Sequence, residues 1–256
     1  AGHAPGAADG PTPGAAAAAA AAILRVLAVV HQRDAGPGVF GEAVAGLGHE
    51  LVEWVPSEAP PPALDGFGAA MVFGGAMNVD EEEANPWLAP EKELLRRLLA
   101  EPVPTLGVCL GAQLVAAAAG AEPRRAPEPE IGWREIELRA EARDDALLGP
   151  LPEKLEGFLW HSYEAPLPPG AVALADSAVC LQAFRLADGA GWGVQFHAEV
   201  TSESVGHWLD GYRSDPDAVR IGLDPDALRA ETTRKIDAWN ELGRGLAARF
   251  LDAVRR

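Results

Sequence analysis

Residues 105–113 read Thr-Leu-Gly-Val-Cys-Leu-Gly-Ala-Gln, and this stretch decides the fold. The apolar run 103–108 has the length and character of a buried strand, and it leads straight into Cys109. Gly107 and Gly111 stand on either side of the cysteine. A helix is predicted over 112–119, stopped by Gly120. Strand, tight turn and helix in this order make a nucleophile elbow, which lifts one side chain clear of the sheet. The positive end of the helix would stabilise a thiolate, and its free N–H groups can hold an oxyanion. Taken alone, the segment also fits a buried, inert cysteine packed between glycines.

Upstream of the elbow, strand and helix signals alternate. Strands are predicted over 23–30, 50–55 and 69–73, the third ending in Gly74-Gly75. Helices are predicted over 39–47, stopped by Gly48, and over 90–100, with Pro90 in the first turn and Leu94, Leu95, Leu98 and Leu99 as its apolar face. This alternation predicts a parallel sheet covered by helices on both faces. Downstream the rhythm changes. Short strands are predicted over 135–139, 157–160, 171–175, 180–186 and 193–196 with no long helix between them, so some should be antiparallel. A helix follows over 201–212. Asp224 then caps a final helix that starts at Pro225 and lines Ile236, Trp239, Leu242, Leu246 and Phe250 along one face. The expected organisation is a disordered, low-complexity Ala/Gly/Pro leader over 1–22, one α/β domain over 23–213, and a helical extension over 214–256 packed on it.

Composition narrows the function. The 256 residues carry 38 acidic and 21 basic side chains, a net charge of −17. Such a chain is unsuited to nucleic acid or to an anionic membrane surface, both of which need clustered positive charge. The only lysines are Lys92, Lys154 and Lys235; none follows a glycine, so a phosphate loop is excluded. Two cysteines make no disulfide framework and point to a reducing compartment, the cytoplasm.

A second motif completes the first. Residues 193–199 read Gly-Val-Gln-Phe-His-Ala-Glu, a strand ending in His197 with Glu199 two positions on. A cysteine nucleophile needs a base, histidine titrates in the useful range, and a carboxylate can orient its ring. The two motifs together resemble the class I, triad-type glutamine amidotransferases, in particular the glutaminase domain of GMP synthase and its stand-alone relatives. The likeness covers about residues 23–210.

The resemblance implies a flavodoxin-like α/β fold with a mostly parallel central sheet. It implies a triad of Cys109, His197 and Glu199, an oxyanion hole from the N–H groups of Gly75 and Leu110, and a substrate contact from Gln113. It implies no metal or cofactor. Two positions depart from the family: Gly74-Gly75-Ala76 replaces Gly-Gly-Pro, and His197-Ala198-Glu199 replaces His-Pro-Glu. Neither removes a side chain with a chemical role. Trp160-His161-Ser162-Tyr163 loosely matches a substrate-side loop.

Other polar residues have simpler readings. His31 is expected to be structural or at the rim of the site. Cys180 is expected in a strand core, and residues 81–83 in a solvated acidic loop. His3, His49, His161 and His207 suggest no ligand set. The implied activity is hydrolysis of the glutamine side-chain amide, with ammonia passed to a separate synthetase partner, since the residues after Glu199 are too few for a synthetase domain. A γ-glutamyl hydrolase or peptidase using the same triad is the alternative enzyme, and a non-catalytic regulatory domain is the third reading.

Overall fold

The computed structural model describes residues 22–101, 103–187, 189 and 191–254. The expected leader therefore lies outside the described residues, apart from Ala22. Among the described residues, nine strands form one sheet in the order β2-β1-β3-β4-β9-β8-β7-β5-β6. β1 (Arg25–Val29), β2 (Glu50–Trp54), β3 (Ala69–Val72), β4 (Thr105–Val108) and β9 (Gly191–Val194) run parallel. Their order is the flavodoxin-like one. β5 (Arg124–Leu138), β6 (Lys154–Glu164), β7 (Val172–Asp176) and β8 (Leu181–Arg185) extend the sheet by antiparallel pairing.

The inner parallel strands β1, β3, β4 and β9 are buried on both faces because helices cover both, whereas the edge strand β2 buries fully only Trp54. Along β1, Val26 and Ala28 point into one core while Leu27 and Val29 point into the other. The first core receives α1 (Gly38–Gly46) through Val39, Phe40 and Val44, and α6 (Pro225–Ala253) through Ile236, Trp239, Leu246 and Phe250. The second receives α2 (Leu88–Ala100) through Leu94, Leu95 and Leu98, and α3 (Leu110–Ala118) through Leu110 and Leu114. α4 (Ser202–Gly211) follows the last parallel strand.

The second half departs from expectation in two respects. β5 and β6 are long strands, of 15 and 11 residues, paired as an antiparallel ribbon. Pro127 and Pro129 argue against a strand there, since proline cannot donate to a ladder. They fall in the register shift between Arg125 and Glu130, and β5 pairs with β7 only at Glu137 and Leu138. Most of β5 thus has one free edge, where proline is tolerated. The short helix α5 (Pro216–Arg220) was also not expected; Asp215 caps it through the N–H groups of Asp217 and Ala218, as Asp224 caps α6.

Candidate active site

The carboxyl ends of four parallel strands meet at one place. β1 leads to His31, β3 to Gly74-Gly75, β4 to Cys109 and β9 to His197. β4 and β9 are neighbours with Val108 opposite Val194, so the chain following each emerges side by side.

Cys109 has φ 52° and ψ −110°, and is the only non-glycine residue with positive φ among the described residues. Its N–H bonds the carbonyl of Val194 at 2.9 Å, and its carbonyl accepts from Gln113 N as α3 begins. The flanking glycines make this turn possible. A Cβ on Gly111 would stand 1.9 Å from the Val72 carbonyl oxygen, and one on Gly107 would stand 2.4 Å from the Gly111 oxygen. The helix can therefore press against β3 and β4 only because side chains are missing at both positions.

His197 and Glu199 complete the group. His197 Nδ1 lies 2.7 Å from Glu199 Oε1, which leaves Nε2 free of the carboxylate, and the His197 and Cys109 side chains both crowd Gly74: a Cβ there would stand 3.0 Å from the ring and 3.7 Å from Cys109 Cβ. Both His197 and Glu199 are buried. Burial alone would lower the His197 pKa. The Glu199 carboxylate and the Cys109 sulfur more than offset it and raise the pKa to about 10. The ring is further fixed by its neighbours: Trp208 packs edge-on at 4.9 Å, His197 N–H bonds the Phe158 carbonyl, and Trp239 Nε1 bonds the His197 carbonyl at 2.7 Å. Cys109 Sγ itself is 3.7 Å from the carbonyl of Trp160 on β6.

A cavity of about 550 Å³ opens over these residues. Gly75, Cys109, Leu110, Gln113 and His197 all line it, while Glu199 stands behind His197. Leu110 is the first residue of α3, so its N–H has no acceptor within the helix. A Cβ on Gly75 would come within 3.1 Å of Leu110 Cδ2, so the Gly75 turn packs against the Leu110 side chain. Gln113 reaches the cavity, but its Nε2 is engaged by the carbonyl of Tyr163 at 3.1 Å and by Gln195 Oε1 at 3.4 Å. Residues 160–163 also line the cavity, as part of the strand β6 rather than a loop.

The partners of His31 and the charged residues at the mouth were not read from the sequence. His31 is buried, and its Nδ1–H is shared between the carbonyls of Phe73 and Gly74, both at 3.1 Å. Its Nε2 lies 2.8 Å from Glu91 Oε1 on α2. His31 is thus structural, as expected, and it braces the turn that carries Gly75. At the mouth, Arg125 holds both carboxylate oxygens of Asp217, at 2.6 and 2.5 Å, and Asp215 accepts from Trp160 Nε1 at 2.8 Å. The repeated Asp-Pro-Asp pattern at 215–217 and 224–226 was the available signal for α5. The acidic loop is less free than expected: Glu81 bonds Asn78, and Glu82 pairs with Lys92.

The comparisons with known proteins agree with this geometry. A family model described as glutamine amidotransferase class-I matches residues 44–209. The chain belongs to the class-I glutamine amidotransferase family. A glutamine amidotransferase-like protein of Salmonella typhimurium, YfeJ, is 29% identical over 188 residues, covering 71% of this chain and 78% of that protein. A glutamine-hydrolyzing GMP synthase subunit from Saccharolobus solfataricus is 35% identical over 153 residues, covering 58% of this chain and 76% of that protein. A crystal structure of a glutamine amidotransferase from Thermotoga maritima superposes with a TM-score of 0.80 at 27% identity, covering 90% of this chain and 98% of that one. Among the described residues of this family member, no helix is long and apolar enough to cross a membrane.

Proposed function

We propose that this amidotransferase hydrolyses the side-chain amide of glutamine to glutamate and ammonia through Cys109, His197 and Glu199. The observation that carries the reading is the meeting of a strained Cys109 with the buried His197–Glu199 pair at one sheet edge. The thiolate of Cys109 attacks the amide carbon, and the carbonyl π electrons move to oxygen. The N–H groups of Gly75 and Leu110 stabilise that oxyanion; losing one such donor costs about 3 kcal/mol of barrier in other enzymes. His197, held protonated by Glu199, gives its proton to the departing nitrogen. The γ-glutamyl thioester remains on Cys109. His197 then takes a proton from water, hydroxide attacks the thioester, and glutamate leaves with the thiolate restored. Gln113 forms part of the wall that the substrate meets. The ammonia serves a separate synthetase partner. The likeness to a GMP synthase subunit, rather than to a whole synthase alone, supports that reading. The two free cysteines suit a cytoplasmic setting.

One observation favours the γ-glutamyl conjugates as a second reading. The cavity of about 550 Å³ falls in the range of sites for drug-sized ligands, larger than glutamine alone requires. One assay separates the two: kcat/KM for glutamine against a γ-glutamyl dipeptide, with the chain alone and ammonia or free amine as the product measured. Ammonia release from glutamine that is lost in Cys109→Ala supports the first reading. Faster cleavage of the dipeptide replaces it with the second, and no release from either overturns both.

A further inference from the structure

Glu130, His161 and Cys180 form a second buried group of three, separate from Cys109, His197 and Glu199. They come from three parts of the fold: Glu130 from β5, His161 from β6, and Cys180 from the residue just before β8. One ligand atom from each lies within 4.8 Å of the other two.

The hydrogen bonds leave this cluster incomplete. His161 Nδ1–H donates to the Tyr163 carbonyl at 2.9 Å, so in the neutral ring Nε2 presents a lone pair. That lone pair lies 3.4 Å from Glu130 Oε2, itself an acceptor, and Nε2 has no hydrogen-bond partner although it is buried. Cys180 Sγ stands 3.5 Å from the same carboxylate oxygen. The Cys180 thiol donates to that oxygen, so within the group Nε2 is the atom left without a partner. A divalent cation joins all three.

We propose that Glu130, His161 and Cys180 bind a zinc ion. A tetrahedral ion with ordinary Zn–S, Zn–N and Zn–O bond lengths spaces its donors by roughly 3.3–3.6 Å. The observed separations of 3.4 Å for nitrogen to oxygen and 3.5 Å for sulfur to oxygen agree with that. A thiolate, an imidazole and a carboxylate together select zinc over magnesium or calcium. The supporting contacts also fit. The second ring nitrogen of a zinc-bound histidine usually donates to a carbonyl or carboxylate, as His161 does to Tyr163. Ser177 Oγ and Gln182 Nε2 each donate to Glu130 Oε2 at 2.9 Å and fix the carboxylate.

Charge balances on binding. The Cys180 thiol, held neutral by burial and by Glu130, releases its proton to solvent as the sulfur bonds the metal. The ion's two positive charges then meet one thiolate and one carboxylate. Such an ion would tie the β5–β6 ribbon to the turn before β8. His161 also follows Trp160, whose carbonyl faces Cys109, so the ion would stiffen a strand beside the site without entering the chemistry.

The test is metal content, independent of any hydrolytic activity. The full chain is equilibrated with zinc, dialysed and assayed by mass spectrometry for bound metal. The parent and Cys109→Ala should each retain about one zinc per chain, and Cys180→Ser and His161→Gln should retain about tenfold less. Cobalt(II) in place of zinc should show a thiolate-to-metal charge-transfer band in Cys109→Ala that is absent in Cys180→Ser. If a variant fails to fold, X-ray absorption of zinc-loaded Cys109→Ala decides, with one sulfur in the coordination shell expected. A chain that retains no zinc overturns the proposal, as does zinc that persists in Cys180→Ser and departs with Cys109.

Discussion

His31 Nε2 lies 2.8 Å from Glu91 Oε1, and neither side chain is exposed to solvent. With Nδ1 shared between the Phe73 and Gly74 carbonyls, this pair connects α2 to the turn bearing Gly75. Removing one partner of a buried pair strands the other. His31→Ala should therefore cost about 3–5 kcal/mol in stability, measured by urea unfolding. If the turn presents an oxyanion donor, the variant should also lose kcat by about tenfold or more with a smaller change in KM. Glu91→Gln keeps a hydrogen-bonding partner for Nε2 and should retain most of kcat. Unchanged kcat in His31→Ala would separate the pair from catalysis.

The strain at Cys109 gives a prediction in which stability and activity move in opposite directions. A non-glycine residue at φ 52° and ψ −110° holds roughly 1–3 kcal/mol of backbone strain. Cys109→Gly should release it, less the greater entropy of glycine in the unfolded chain, for a net gain of about 1 kcal/mol. Cys109→Ala keeps the strain and should unfold at nearly the parent urea concentration. Both should abolish hydrolysis, and Cys180→Ala should not. Full activity in Cys109→Ala is the result that removes the nucleophile from the mechanism.

How much of this was legible in the sequence depends on how local each requirement is. The elbow could be read because Gly107 and Gly111 stand two residues either side of Cys109 in one short segment, although the neighbour that Gly111 makes room for is Val72 on β3. His197 and Glu199 could be read because they share one short strand end. The His31–Glu91 pair could not, since it joins residues 60 apart, and Glu91 stands in the first turn of a helix where an acidic residue is ordinary. The cluster of Glu130, His161 and Cys180 was hidden for another reason. It depends on the register of the β5–β6 ribbon, which pairs Glu130 with His161, and the prolines beside Glu130 conceal that strand.

The His197–Glu199 pair sets a pH dependence. The folded-state pKa of about 10 lies above the ordinary 6.5, so protonation of His197 favours the folded chain. That stabilisation is complete below about pH 6.5 and is lost as pH rises toward 10. Glu199→Gln removes the nearest carboxylate, so His197 should lose its proton at lower pH. The alkaline limb of the kcat/KM profile should move toward acid, and the stability difference from the parent should shrink as pH rises. An alkaline limb that stays in place would show that another group controls it.

Three contacts tie α6 to the segment that carries the histidine and glutamate. Trp239 Nε1 donates to the His197 carbonyl at 2.7 Å, Asn240 Nδ2 donates to the Val200 carbonyl at 2.7 Å, and a Cβ on Gly243 would stand 2.0 Å from the Ala198 oxygen. The helix thus fixes the backbone on both sides of Ala198, where the chain leaves β9. Trp239→Phe preserves most of the ring packing against Trp133 and Phe196 but removes the donor. It should cost about 1–3 kcal/mol, because a buried carbonyl is left unpaired. Gly243→Ala forces the helix and the segment apart, and overpacking of this kind costs about 1–3 kcal/mol. If α6 positions His197, both variants should lower kcat more than they raise KM while circular dichroism remains that of the parent. If the helix only stabilises the domain, each variant should unfold at lower urea concentration and retain the parent kcat under native conditions.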